Sequence, residues 1–400
     1  MSTKRIAIGA AMVGLAAATP MAVRRGEAPW SSQSASGVAP TSIVGGRPFQ
    51  SVPSGASAGG AQIKSGNPFS FPLDNGFPTL SDNAIKVVNV LAHGTEPNGP
   101  PPTLQEDDLT SFQLIAFNEI FEVAFFTDLL FNVTTDVDGF TIEDPKLRQT
   151  VIDALVAIQA QEELHADNAN AVLSNNHKDP ILPCQYQFPT TNLSTALDLA
   201  ATFTDVVMGT LQDVQLHLAL NNAADGPNVV PIIGSVIGQE GEQTGFFRNF
   251  NGKIPSAKPF LTRSSREFAF SALNQNFVVK NSCPNIDTIK LPIFLPLTVN
   301  TMPVQPKNQL ISFSVVVDKP APPTGLSLVL INGQNVPIVE EVQNAVVKDG
   351  VATFQANFPH DEYVLDGLTI AALTKSAGPF ASAEDVAKAT IAGPGLIEVN

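Results

Sequence analysis

Hydrogen-bonding aromatic rings are nearly missing from this chain, which has two Tyr and one Trp in 400 residues against 25 Phe. Phe is a core filler, so stacking platforms for sugars or bases are scarce. Basic residues are also few, with 22 Lys+Arg against 37 Asp+Glu for a net charge of −15. Without a basic face the chain has no electrostatic footing on a phosphate backbone, which excludes nucleic acid as a partner. No stretch approaches twenty consecutive apolar residues, so no integral membrane segment is expected. What is abundant is apolar matter: hydrophobic residues make up 44% and charged ones 15%, which points to large buried cores and a length suited to two or three domains.

The N-terminus reads as a secretory signal. Lys4 and Arg5 precede an apolar run from Ile6 to Ala18, and the pair Arg24-Arg25 follows as a processing site. Loss of residues 1–25 removes four cations and deepens the net charge from −15 to −19. Export makes a disulfide between the only two cysteines, Cys184 and Cys283, the default. Asn132-Val133-Thr134 and Asn192-Leu193-Ser194 are glycosylation sequons consistent with that compartment, with Asn132 and Asn192 as acceptors. The expected location is extracellular, including the cell wall.

Residues 26–105 are rich in Ser, Gly and Pro and read as an extended lead-in. Within them Gly55-Ala56-Ser57-Ala58-Gly59 matches the nucleophile-elbow pattern, but no strand precedes it and no helix follows, so it reads as linker. Residues 106–252 carry four segments of helical apolar period: 109–131, 145–173, 195–220 and 231–250. Asp144 caps the second with Pro145 at its first position, and Pro231 opens the fourth. Helices of that length are the habit of a four-helix bundle. Residues 253–300 form a Pro-rich connector with a short helix near 266–275. Residues 301–400 turn to short alternating or apolar runs broken by Asn332-Gly333 and Asp349-Gly350, the pattern of a small β-sandwich. The fold class is therefore α+β and multidomain.

In three of the four helices a carboxylate interrupts the apolar stripe, and a second polar donor follows three residues later. The pairs are Glu119 with Glu122, Glu162 with His165, and Glu240 with Gln243. Residues three apart share a helix face, so each pair projects together toward the bundle axis. Several buried carboxylates at one depth repel each other and resist desolvation, and a divalent metal relieves both. Oxygen-rich ligation with one imidazole suits Fe or Mn. The other reading is a degenerate site whose polar groups bond each other and buried water.

These motifs resemble the ferritin-like family, in particular a fungal secreted branch described as late sexual development or stress-response proteins, related to plant desiccation-related proteins. The resemblance rests on Phe117-Asn118-Glu119-Ile120-Phe121-Glu122, Glu162-Glu163-Leu164-His165, Glu240-Gly241-Glu242-Gln243 with Phe247-Arg248, and Ser282-Cys283-Pro284. It implies Glu119, Glu162, His165 and Glu240 as metal ligands. It also exposes two departures: helix three has Thr204, beside Asp205, where the family pattern has Glu, and helix four has Gln243 in place of His. With Glu122, Gln243 and Thr204 as the remaining donors, and Glu122 or Asp205 as the substitutes on offer for the missing ligands, one ion is expected rather than two, and no reaction is assigned. Asp205 reads as facing solvent or the bundle edge. His93, His177, His217 and His360 read as single residues without ligand partners. Phe121, Phe125 and Phe126 read as core. The expected function is a secreted ferritin-like protein of development or stress; a metal-free structural or wall-associated protein, binding surface components through the β domain, is the alternative.

Overall fold

The computed structural model describes residues 70–99, 102–221, 226–317 and 325–399. The signal segment, Arg24-Arg25 and the Gly55–Gly59 motif lie outside the described residues. The described part of the lead-in is not wholly extended, because helix α1 spans Asp82–Leu91, capped by Ser81, whose Oγ accepts from the Ala84 amide. Its buried Val88, with Ala92, packs on Ala160 and Leu164 of the long helix α3, Pro145–Asn175. A single short apolar face amid Pro and Gly leaves too little periodicity for sequence alone to show a helix.

Four long helices form the bundle: α2 (Glu106–Thr134), α3, α4 (Leu193–Asn221) and α5 (Gly226–Phe250). Three acidic residues open α2, where the positive end of the helix dipole favours them. Beyond them α2 is buried on nearly all sides and is the central helix of the bundle. Asp144 caps α3 by accepting from the Lys146 and Leu147 amides at 2.8 and 2.9 Å, with Pro145 at the first position. Asn192 caps α4 through the Thr195 amide at 2.9 Å. Helix α5 starts earlier than expected, at Gly226, so Pro231 lies inside it rather than at its first position. So near the N-terminus a proline forfeits one backbone donation and meets few preceding carbonyls. The helix ends with Gly252 at φ +72°, where the Lys253 amide reaches back to the Arg248 carbonyl. A further helix, α6 (Arg266–Asn276), lies against α2 and α4.

The C-terminal region is two antiparallel four-stranded sheets. One has the order β1 (Thr298–Val299), β2 (Gln309–Val316), β6 (Val351–Phe358), β5 (Gln343–Lys348). The other runs β4 (Ile338–Glu341), β3 (Ser327–Asn332), β7 (Gly367–Thr374), β8 (Thr390–Val399). Asp349-Gly350, both at positive φ, join Lys348 to its partner Val351 in a two-residue hairpin. Phe313 faces Phe354 across β2 and β6, their ring centroids 5.6 Å apart.

Two short helices punctuate this region, α7 (His360–Tyr363) and α8 (Ala383–Ala389). Strand β8 contains Gly393-Pro394-Gly395, which reads as a turn in sequence. It is the last strand of its sheet, its register with β7 is broken here and, among the described residues, only a single bridge to Leu295 lies on its other side, so a missing amide is tolerated.

The second sheet faces two cores at once. Val329, Ile331, Leu368, Ile370 and Ala372 point into the helical core, while Leu328, Leu330, Ala371 and Leu373 point into the sandwich. Every residue of β3 and β7 is consequently buried, which is why these strands are largely apolar rather than alternating. Thr262 reinforces the junction, donating to the Leu368 carbonyl at 2.6 Å and accepting from the Gly333 amide at 2.9 Å.

Cys184 and Cys283 are joined in a disulfide across 99 residues, tying the segment after α3 to the segment after α6. The two sequons part company. Asn192 is half-buried as the cap of α4, whereas Asn132 is fully buried in α2 with its amide donating to Asp128 at 2.9 Å. The expectation of a glycan on Asn132 is therefore corrected: the folded chain has no room for one.

Candidate metal centre

Helices α2, α3 and α5 converge their polar pairs in the middle of the bundle. Glu119, Glu162, His165 and Glu240 each offer a ligand atom, and these atoms lie within 4.8 Å of one another. The three carboxylates are buried to within 1% of completely, and His165 alone keeps a modest opening at 18% side-chain exposure. His165 Nδ1 sits 2.9 Å from Glu162 Oε2 and 3.4 Å from Glu119 Oε2. Gln243 donates to Glu162 Oε1 at 2.5 Å. Glu122, one turn along α2 from Asn118, accepts that amide at 2.8 Å.

Much of the donor set has no donor to answer it. Oε2 of Glu122 and both oxygens of Glu240 are buried without a hydrogen-bond partner, and Oε2 of Glu119 has only the 3.4 Å ion pair with His165. The electrostatics follow from that. Burial pushes the Glu119 carboxyl up to about 7 despite the adjacent imidazole. Burial, then the charges of Glu162 and Glu119, raise Glu122 well above the ordinary carboxylate range; burial, Glu122 and Glu162 do the same to Glu240. Glu162 is the exception. Burial alone would raise it, but the His165 charge and the bonds from His165 and Gln243 hold it low. His165 answers in kind: burial opposes its charge, and Glu162 and Glu119 raise it well above the ordinary value. Such a group either keeps several protons or takes up a cation.

The residues present fit a metal ion. Three carboxylates and one imidazole form an oxygen-rich set of the kind Fe and Mn accept, and the unanswered oxygens are the electron pairs an ion would use. Within the bundle core, among the described residues, no second carboxylate/His group accompanies this one. Gln243 presents its amide as a donor to Glu162, and Thr204 is buried with its hydroxyl unpaired and brings no carboxylate from α4.

Residues 107–253 match the family model of the ferritin-like domain. The helical part is thus ferritin-like, with the antiparallel sheets following it. No curated protein matches the chain. Among the described residues no helix is long and apolar enough to cross a membrane.

Several readings change. Asp205 does not face solvent: it is buried at 8% exposure and lines a cavity of about 460 Å³ with Thr244 and Arg248. Burial raises its carboxyl to about 6 against the pull of Arg248 and Lys258, and Glu398 of β8 is pushed well up by burial and by Asp205. Asp205 therefore belongs to this separate charge cluster and does not substitute at the metal centre. Its counter-charges, Arg248 and Lys258, and the neighbouring carboxyl of Glu398 all lie more than 40 residues away in sequence, so no local pattern could show them.

His217 is not solitary, since its Nδ1 lies 2.9 Å from Asp107 Oδ2. Nor is His360, whose Nε2 lies 3.0 Å from Asp366. Sequence reasoning also missed Asn118 and Gln161. Gln161 accepts from Gln239 at 2.8 Å and Gln243 at 3.4 Å beside the centre. Asn118 was the more findable, being four residues before Glu122 on one face of α2. Phe121, Phe125 and Phe126 are core as expected, with Phe121 and Phe125 both edge-on to Phe203.

Proposed function

We propose that this is an exported ferritin-like protein of development or stress whose bundle core holds one divalent ion, iron or manganese, on Glu119, Glu162, His165 and Glu240. The observation that carries this reading is the set of buried carboxylate oxygens on Glu122 and Glu240 that no donor answers. Leaving such groups unpaired costs on the order of 1–3 kcal/mol each, more when charged. An ion bound there would supply Lewis-acid and one-electron chemistry. The chain's own contribution is positional: Gln243 holds Glu162 and Asn118 holds Glu122. The Cys184–Cys283 disulfide and the N-terminal signal pattern support export.

One observation favours a metal-free structural protein as the second reading. Glu162 is already served by both His165 and Gln243, as in a polar cluster that satisfies itself. Metal analysis separates the two. Protein secreted into medium containing Fe, Mn and Zn is assayed by mass spectrometry beside Glu240→Gln, a nearly isosteric change. About one core ion per chain, absent from the variant, is expected. Equal metal content in both proteins would reject the metal reading and leave the structural one.

A further inference from the structure

We propose a second divalent-cation site, outside the bundle core, formed by Asp213 and His217 of α4 and Glu384 of α8. Their ligand atoms lie within 4.8 Å of one another, although Glu384 is 167 residues from His217 in the chain. Residues 213 and 217 are one turn apart on α4 and share a face. Asp213 supplies the independent sign of a ligand: its side chain is 97% buried and its Oδ2 has no hydrogen-bond partner.

The histidine is already oriented for the task. His217 Nδ1 is 2.9 Å from Asp107 Oδ2, which places the ring proton on that nitrogen. Nε2, the nitrogen not engaged by Asp107, lies 3.8 Å from Glu384 Oε2. A carboxylate behind a metal-binding imidazole is the usual means of setting its tautomer and basicity. Asp107 is itself anchored by Arg266 at 3.0 Å, and Arg266 also donates to the Ser111 hydroxyl and the Asp107 carbonyl.

Local charge favours an ion as well. Asp107, Asp213, Glu267 and Glu384 gather here, and His217 itself, Arg266 and Lys388 stand against them. Lys388 takes the other oxygen of Glu384, Oε1, at 2.9 Å, leaving Oε2 for the site. Two carboxylates and one imidazole make a three-ligand set with room for water, a composition that zinc accepts readily. Because α4 belongs to the bundle and α8 sits between β7 and β8, an ion here would clip the sheets to the helices. Its binding free energy would then add to folding stability.

The test uses the full chain carrying Glu240→Gln, stripped with chelator and titrated with Zn²⁺ by calorimetry, with metal content by mass spectrometry and melting temperature as a second readout. One zinc per chain and a zinc-dependent rise in melting temperature are expected. Adding Asp213→Asn or Glu384→Gln should abolish both, and Asp107→Asn should weaken affinity about 10–100-fold. Glu384 is partly exposed, so its variant is expected to fold, and circular dichroism checks this. No zinc uptake by the Glu240→Gln protein, or uptake unchanged by Asp213→Asn and Glu384→Gln, would overturn the proposal. Loss of this ion through Asp213→Asn but not through Glu240→Gln keeps the outcome separate from that of the core centre.

Discussion

Glu119 offers a direct measure of what the buried carboxylates cost when no ion is bound. Its carboxyl moves from an ordinary 4.5 to about 7, chiefly through burial. Between those pH values the folded protein holds a proton that the unfolded chain has released. Stability from this group is therefore complete below pH 4.5, falls as pH rises toward 7, and stays low above it. At 1.36 kcal/mol per pH unit the gap amounts to about 3 kcal/mol. Other groups titrate too, some in the opposite direction, so the useful quantity is a difference between two proteins. Urea melts of chelated wild type and Glu119→Gln at pH 5 and pH 8 supply it. The wild type should lose about 2.5 kcal/mol more than the variant over that interval, part of the gap lying below pH 5. Adding Mn²⁺ at pH 8 should restore stability to the wild type, because an ion prefers the ionised carboxylates that destabilise the metal-free core. Identical pH dependence in the two proteins would refute the claim that burial holds Glu119 protonated.

Other expectations follow from packing. Cys184→Ser with Cys283→Ser opens a 99-residue loop and should cost about 4–5 kcal/mol in the chain-entropy account, measured by urea melts in non-reducing buffer. On α4, a methyl at Gly209 would collide with the Thr262 carbonyl and crowd Ser264, so Gly209→Ala should destabilise by about 1–3 kcal/mol and register as a lower melting temperature. Phe121, fully buried among Phe125, Phe203 and Phe277, should cost about 3–5 kcal/mol on truncation to Ala. Glycopeptide mapping of the secreted chain should find any glycan at Asn192 and leave Asn132 unmodified, since Asn132 is buried and bonded to Asp128.

How far a sequence carries depends on whether the relevant neighbours are local. The Asp144-Pro145 start of α3 and the Glu162–His165 pair were legible because a cap spans three residues and a helix face repeats every three to four. The same rule places Glu119, Glu162 and Glu240 on inward stripes. Strand β8 was hidden by Gly393-Pro394-Gly395, whose local preference is overruled by pairing with β7. The Asn132 sequon looked accessible until α2 proved to be buried on nearly all sides.

The sequence by itself determined which residues are available as ligands and at what depth along each helix, because backbone geometry converts spacing into direction. It also determined that residues 301–400 fall into short strands broken by Asn332-Gly333 and Asp349-Gly350. Tertiary structure alone decided the partnerships. It turned the Gln243 amide toward Glu162 and left the Glu240 oxygens unanswered. It drew Asp205 into a cluster with Lys258 and Glu398, and brought Glu384 up to His217. Burial and long-range proximity set those charges, and neither is encoded in the spacing of neighbouring residues.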